Sequence, residues 1–303
     1  MPDQPLSIDG LLIIDKPPGW TSHDVVGRLR RLTGIRRIGH AGTLDPLATG
    51  VLPMGIGRGT RVLEYISDAE KQYVGTLELG AVTDTYDADG RVLERHDWTG
   101  VTEEMVRDVL TGFLGTFEQQ PPLFSAIKQG GVPLHRLARA GRAVAPPLRS
   151  VTIVDIDVVD VDLPRVDFAV TCSKGTYIRS LAHDVGRRLG CGAHLTALRR
   201  TMTGGFTIAQ AITVEQFERS LDDGSWQART LPPDRALCDR PAIVLDETAS
   251  ERLRSGVAPA APAPEGGPGT RARAYTPDGI FLGVIQWQDA HSGWMVEKVL
   301  HAR

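Results

Sequence analysis

The order of strand-like and helix-like segments is the feature that most constrains the fold of this 303-residue chain. Apolar and polar residues alternate over residues 71–79 and 151–161, as is typical of strands with one solvated face. Helical spacing predicts three helices: one that is capped by Thr21 or Ser22 and ends at Gly34, and two at residues 102–114 and 177–189. Because strands and helices do not alternate regularly, we expect an α+β fold rather than a doubly wound parallel sheet.

The remaining segments extend this prediction. Residues 10–16 and 165–172 read as further strands, and residues 193–200 are expected to continue in helix or turn. Residues 119–150 are rich in Pro and Gly at both ends and show little apolar periodicity, which indicates a protruding insertion. Composition changes after Arg240. A low-complexity Ala/Pro stretch is followed by short alternating runs, which predict a small C-terminal β unit.

Composition places the chain among ordinary globular proteins, with 41% hydrophobic and 23% charged residues. No apolar run approaches the roughly 18 residues that a membrane helix needs. The first residues lack the pattern of a secretory signal. The three cysteines are an odd number without C-x-x-C spacing, so neither a disulfide framework nor a zinc site is indicated. We therefore expect a cytoplasmic protein without membrane association.

Basic residues are segregated along the chain, although the net charge is −3. Residues 25–44, 121–150 and 173–200 together hold 16 of the 34 basic residues and one of the 37 acidic residues. Such segregation is typical of a polyanion-binding face on an otherwise acidic protein. The alternative is three solvated helix faces that never meet in space.

The segment richest in chemical possibilities is Gly39–Gly50, which contains three glycines and a single acid, Asp45. Glycines allow the backbone to approach a ligand closely. An acid on such a loop can act as a nucleophile, a base or a metal ligand. The alternative is that Asp45 only caps a helix that starts at Pro46.

Five sequence blocks resemble the TruB family of pseudouridine synthases, in the family's order and nearly continuously from residue 10 to about 210. The block around Asp45 resembles the family's catalytic motif. The blocks are LLIIDKPPGWTSHDVV, GHAGTLDPLATGVLP, KQYVGTLELGAVTDTYDADG, PPLFSAIKQGGVPLHRLARAG and CSKGTYIRSLAHDVGRRLGCGAHLTALRR.

The resemblance implies a role for particular residues. Asp45 would be the nucleophile, Tyr73 would stack on the flipped base and take part in proton transfer, and Arg179 would pair with Asp45. Three further side chains would line the pocket around the extruded nucleotides: His40, Tyr177 and Leu198. Lys16, after the first strand, is interpreted as structural.

The resemblance also implies an architecture and a reaction. Residues 1–240 would form the catalytic domain, a mixed and mostly antiparallel sheet flanked by helices, with residues 121–150 as a thumb that closes over RNA. Residues 241–303 would form a small β-rich domain of the PUA type. The expected substrate is uridine 55 in the T-loop of tRNA, bound through the T-stem-loop. The reaction needs no cofactor or metal, and a monomer is expected.

Two other functions share parts of this pattern. A non-catalytic tRNA-binding or tRNA-folding chaperone would use the same basic clusters. An N-glycosylase would share base flipping and an acid but would release free uracil. Taken one at a time, Tyr73, Arg179, His40 and Leu198 would each be ordinary structural residues, and only the surrounding motifs assign them a role.

Overall fold

The computed structural model describes residues 8–125, 128–129, 131–134, 146–288 and 293–301. Much of the predicted insertion, including its three central arginines, lies outside the described residues. These arginines are Arg136, Arg139 and Arg142.

The described residues form strands and short helices in irregular order. The strands are β1 (Gly10–Lys16), β2 (Ile38–His40), β3 (Thr49–Ile56), β4 (Lys71–Leu79), β5 (Ala81–Thr83), β6 (Val92–Arg95), β7 (Gly115–Gln119), β8 (Lys128–Gln129), β9 (Val132–Pro133), β10 (Arg149–Asp162), β11 (Arg165–Cys172), β12 (Ala193–Thr203), β13 (Phe206–Thr207), β14 (Ile212–Thr213), β15 (Ala242–Val244), β16 (Arg271–Tyr275), β17 (Phe281–Gln288) and β18 (Gly293–Val299). The helices are α1 (Ser22–Thr33), α2 (Leu63–Asp68), α3 (Glu103–Thr111), α4 (Ile178–Leu189), α5 (Val214–Arg219) and α6 (Glu247–Arg254).

One large sheet organises most of the chain, in the order β14-β1-β3-β12-β4-β11-β10-β7, with β2 paired to β3 and β13 to β12. The β1–β14 and β3–β12 pairs are parallel. Its other pairs are antiparallel. The predicted α+β class and the predicted mixed, mostly antiparallel sheet are both confirmed.

The helix ends follow the capping residues in the sequence. Thr21 forms a capping box with Asp24 at the start of α1, and Gly34 ends this helix with a left-handed φ of 72°. The Thr102 side chain accepts a hydrogen bond from the Met105 amide at the start of α3. The three predicted helices are present, and α3 ends three residues before the predicted limit.

The prediction of helix or turn at residues 193–200 is wrong, because this segment belongs to β12. Residues 193–203 lie in the middle of the sheet between β3 and β4, and buried residues recur along them at strand spacing. The pairing is interrupted by register shifts near Leu195 and Arg200. These irregularities blur the two-residue period that a regular strand would show in the sequence.

A second, four-stranded sheet of β15 to β18 lies at the C-terminal end. Its own apolar cluster includes Leu253, Leu282 and Trp294. Another cluster joins Leu300 and neighbouring residues of this sheet to Leu11 of β1. The predicted C-terminal β unit is therefore confirmed, while the boundary after Arg240 and the PUA relationship stay predictions.

None of the helices in the described residues has the length and apolar character that a membrane span requires.

Helix α4 packs unusually close to the sheet at one glycine. A Cβ added at Gly186 would lie 2.0 Å from the backbone nitrogen of Ala193, the first residue of β12. The glycine therefore sets the distance between α4, which carries Arg179, and the central strand.

We expect Gly186→Ala to lower the free energy of unfolding by about 1–3 kcal/mol, because the backbone must shift to admit the methyl group. Gly27→Ala in α1 is the matched control, since nothing lies within 4 Å of a Cβ there. The control should be neutral or stabilising by up to about 1 kcal/mol, as alanine favours helix. Urea unfolding of both variants measures the difference. Equal effects would show that the close approach is not constraining.

Candidate active site

Asp45 lies in an irregular loop between β2 and β3, and no helix begins at Pro46. The capping alternative is therefore wrong. Ser22, at the start of α1, fixes the loop by accepting a hydrogen bond from the Leu44 amide at 2.9 Å. Gly50 then adopts a φ of +100°, and a Cβ there would come within 2.2 Å of the Arg200 carbonyl oxygen. The loop therefore depends on close backbone packing against β12.

Arg179 holds the Asp45 carboxylate from the first turn of α4. Arg179 Nη2 donates a hydrogen bond to Asp45 Oδ1 at 3.0 Å, and Arg179 Nε lies 2.9 Å from Oδ2. The arginine side chain is only 5% exposed, whereas the aspartate side chain is 38% exposed. The guanidinium thus lies behind the carboxylate and leaves it accessible from the other side.

A second carboxylate, Asp87, contacts the same guanidinium. Asp87 Oδ2 lies 3.4 Å from Arg179 Nη1, and both side chains are almost fully buried. Burial raises the pKa of Asp87, while the Thr85 hydroxyl and Arg179 act in the opposite direction. The Thr85 and Phe124 carbonyls accept the remaining guanidinium hydrogen bonds, at 2.9 and 3.0 Å. Sequence reasoning missed Asp87, although it lies within one of the resembling blocks.

A cavity of about 250 Å³ opens beside Asp45. Tyr73, Tyr177, Leu198 and Arg179 line it together with Asp45. The register of the sheet brings these residues together, because β12 pairs Leu198 with Gly75 and Arg200 with Tyr73. Burial raises the pKa of Tyr73, so its hydroxyl keeps its proton at neutral pH.

Tyr177 reaches the cavity as the residue that precedes α4. Its backbone amide donates to Gln119 Oε1 at 2.8 Å, and Gln119 Nε2 donates back to the Tyr177 carbonyl at 3.1 Å. Burial raises the pKa of Tyr177 as well. This reciprocal pair fixes the start of α4 against the end of β7.

His40 is not among the residues that line this cavity. Its Nε2 lies 3.3 Å from His23 Nδ1, and the two rings meet edge to face with centroids 5.4 Å apart. Burial, His23 and Arg200 lower the pKa of His40 to about 4, so this ring is neutral at physiological pH. The contact of His40 with the extruded nucleotides therefore stays a prediction.

Three buried cations surround the site and were not assigned to it by the sequence. Lys16 donates to the Trp20 and Pro46 carbonyls, and burial lowers its pKa to about 8. Lys71 lines the cavity, and burial lowers its pKa to about 8 as well. Arg200, which is fully buried, also lines the cavity. The structural interpretation of Lys16 is correct in that its ammonium group hydrogen-bonds backbone around the Asp45 loop.

The basic segments of the sequence serve more than one purpose. Arg179 and Arg200 belong to the buried site, while Arg199 is paired with Asp15 at 2.6 Å. Lys174 and Arg149 line a groove of about 520 Å³ that shares Ser67 and Gly175 with the cavity. In the part of the chain that is described, no cluster of three or more His, Cys, Asp or Glu residues is arranged to hold a metal ion.

Comparison with known proteins identifies the family. A family model described as "TruB family pseudouridylate synthase (N terminal domain)" matches residues 30–178, and one described as "tRNA pseudouridylate synthase B C-terminal domain" matches residues 179–238. The chain belongs to the TruB family of pseudouridylate synthases. The predicted family and the prediction that the chain is a pseudouridine synthase are confirmed.

Curated relatives extend the match over nearly the whole chain. A tRNA pseudouridine synthase B of Geobacter sulfurreducens is 45% identical over 91% of this chain and 93% of its own length. A protein of the same name from Arthrobacter sp. is 44% identical over 97% of this chain and 96% of its own length. TruB family membership therefore covers both sheets.

Solved structures agree on the fold. The structure of a Cbf5-Nop10-Gar1 complex matches with a TM-score of 0.76 and 28% identity, over 97% of this chain and 85% of that chain. An archaeal box H/ACA Nop10-Cbf5 complex matches with a TM-score of 0.74 and 26% identity, over 97% and 86%. The predicted pseudouridine synthase fold is confirmed.

We expect Arg179→Ala to lower the free energy of unfolding by about 3–5 kcal/mol, because it strands the buried Asp87 carboxylate. Adding Asp87→Asn should recover at least about 1 kcal/mol, since the stranded charge is then removed. Arg187→Ala is the control on the same helix. Its side chain is 73% exposed and pairs with Asp184 at 3.3 Å, so the expected loss is below about 1 kcal/mol.

Urea unfolding of Arg179→Ala, Asp87→Asn and the variant that combines them, at neutral pH, gives the coupling free energy between Arg179 and Asp87. Additive losses would contradict an energetic link between the two side chains.

Proposed function

We propose that this protein converts uridine 55 in the T-loop of tRNA to pseudouridine, with Asp45 as the nucleophile. The observation that carries the proposal is the Asp45–Arg179 pair at the wall of a cavity lined by Tyr73. The curated relatives named tRNA pseudouridine synthase B support tRNA as the substrate.

The geometry suits a carboxylate nucleophile. A nucleophilic aspartate must be ionised and reachable at the same time. Arg179 places a positive charge within 3 Å of the carboxylate oxygens, on the buried side of the carboxylate. The side of Asp45 that faces the cavity stays open to a substrate.

The reaction exchanges one glycosidic bond for another. The bond between C1′ and N1 breaks, the uracil turns within the cavity, and C5 of the uracil bonds to C1′. No net oxidation, reduction or hydrolysis takes place, so the proposal requires no cofactor. The uridine must first leave its stack in the folded T-loop, at a cost of a few kcal/mol. Stacking on an aromatic ring returns about 1–3 kcal/mol per base, and Tyr73 is the ring positioned for it.

Other parts of the chain would bind the rest of the RNA. The basic insertion at residues 121–150 would close over the T-stem-loop, and residues 241–303 would act as a PUA-type domain that strengthens binding. Tyr177 and Leu198 would contact the extruded nucleotide from the cavity wall, and His40 would act outside the cavity, next to His23. We propose a monomer that acts in the cytoplasm.

The two alternative functions predict different products. A tRNA-binding chaperone would change no nucleotide, and an N-glycosylase would release free uracil. The buried support behind Asp45 favours catalysis over binding alone, because a side chain that only bound RNA phosphates would not be an acid.

We expect Asp45→Asn to abolish isomerisation while preserving tRNA binding, because the amide keeps the shape of the side chain but cannot act as a carboxylate nucleophile. Tritium release from tRNA labelled at uridine C5 measures the reaction, and filter binding measures affinity. Asp157→Asn, an exposed acid on β10, should convert tRNA at the wild-type rate.

Turnover by pure Asp45→Asn protein would contradict the proposed role of Asp45. Free uracil among the wild-type products would favour the glycosylase, and the absence of any conversion by wild type would favour the chaperone.

A further inference from the structure

Arg200 is a fully buried arginine in the cavity wall that the proposed reaction has not yet used. Its Nε donates to the Val51 carbonyl at 2.7 Å, and its Nη2 donates to the Gly42 carbonyl at 3.0 Å. Its remaining amino group, Nη1, is buried and makes no hydrogen bond of good geometry in the described part of the chain; the Tyr73 hydroxyl, whose pKa burial raises and Arg200 lowers, lies near the guanidinium. Nε and Nη2 therefore hold the guanidinium in place, and Nη1 stays available as a charged donor.

Such a donor is costly to leave unpaired, because a buried polar group without a partner loses its hydration and gains nothing in return. The backbone also leaves room in front of it. A Cβ at Gly42 would lie 3.2 Å from Nη1, and Gly42 itself lines the cavity. A donor kept unpaired, buried and fixed in a cavity is the arrangement that stabilises charge developing on a bound substrate.

The charges around the cavity point the same way. Lys71, Arg179 and Arg200 line the cavity together with Asp45, and the charge of Lys16 also interacts with Asp45. Asp45 and Asp87 both contact Arg179. No carboxylate oxygen hydrogen-bonds Arg200 within the described residues. The site is thus prepared for one more negative charge beside Arg200.

The reaction itself generates a negative charge inside the cavity. When the bond between C1′ and N1 breaks, its electron pair stays on N1 of the uracil and spreads onto the carbonyl oxygens O2 and O4. Asp45 bonds to C1′ as N1 leaves. The ring then donates an electron pair from C5 to C1′, which breaks the bond between Asp45 and C1′ and restores the carboxylate. One proton leaves C5, and N1 takes up one proton. Between the departure of N1 and the attack by C5 the detached base is an anion, and Asp45 cannot stabilise it because its carboxylate is bonded to C1′.

We infer that Arg200 is a further catalytic residue, which donates a hydrogen bond from Nη1 to a carbonyl oxygen of the detached uracil and stabilises its negative charge. The inference rests on the proposed isomerisation of uridine. Arg200 differs in its role from Arg179, which supports the nucleophile, because it supports the leaving group.

Removing the donor should slow the chemical step and leave RNA binding nearly unchanged. We expect Arg200→Met to lower the single-turnover rate at saturating enzyme by about 10²–10³-fold, the usual effect of losing one such donor. Arg199→Met is the matched control. Arg199 is the neighbour on the same strand, but its side chain is 43% exposed and points to Asp15 on the opposite face, so its rate should stay within about threefold of wild type.

A loss of rate alone would also follow from a disturbed fold, so the test uses the basicity of the leaving group. Fluorine at uracil C5 withdraws electrons and lowers the basicity of the detached uracil anion. The anion therefore depends less on the hydrogen bond from Arg200. RNA with 5-fluorouridine at the target position is compared with uridine RNA, and the loss of the N1-linked nucleoside is followed by nuclease digestion and mass-detected chromatography. For Arg200→Met the loss of rate should be about tenfold smaller on the fluorinated RNA.

Arg200→Lys provides a second variant in case Arg200→Met does not fold, because it retains a buried positive charge. It should show a smaller loss of rate than Arg200→Met, again reduced by fluorine. An equal loss on both RNAs for folded Arg200 variants would overturn the inference and make Arg200 a structural residue. A wild-type protein that converts neither RNA would instead refute the proposed function.

Discussion

The contact of Arg179 with two carboxylates is the interaction on which the rest of the site depends. One guanidinium holds Asp45 from the loop after β2 and Asp87 from the loop after β5, and it donates to the Thr85 and Phe124 carbonyls as well. Because helix α4 carries the arginine, its close packing on β12 fixes the position of Asp45 relative to the sheet. Three irregular segments are thereby fixed around one charge, without a regular element running through any of them.

The Asp45 carboxylate is held on one side and is accessible on the other. The guanidinium lies on the buried side of Asp45, and the carboxylate faces a cavity whose other walls come from β4 and β12. Neighbouring strand positions provide Tyr73, the ring that we propose stacks on the uracil, and a second buried guanidinium, Arg200. A mostly antiparallel sheet with a bulged central strand is therefore what places an acid, an aromatic ring and two arginines around about 250 Å³ of space.

The sequence predicted much of this, and the failures have physical reasons. Capping residues and periodicity located α1, α3 and α4, and motif resemblance selected Asp45, Tyr73 and Arg179. Residues 193–200 were assigned incorrectly because register shifts obscure the strand period. Asp87 and Arg200 were missed because a charged residue read alone is expected to be at the surface, and only tertiary structure shows that it is buried beside a partner or a cavity. The motif also selected His40, which lies against His23 outside this cavity, and its contact with RNA stays a prediction.

We propose above all that Asp45, held by Arg179, isomerises a single uridine of the tRNA T-loop. Mapping pseudouridine at every tRNA position, in cells of the source organism with and without the gene for this protein, tests it most directly. The account predicts that deletion removes pseudouridine at position 55 alone, and that the wild-type gene but not the Asp45→Asn gene restores it. Unchanged pseudouridine at position 55 after deletion, or restoration by Asp45→Asn, would contradict the claim.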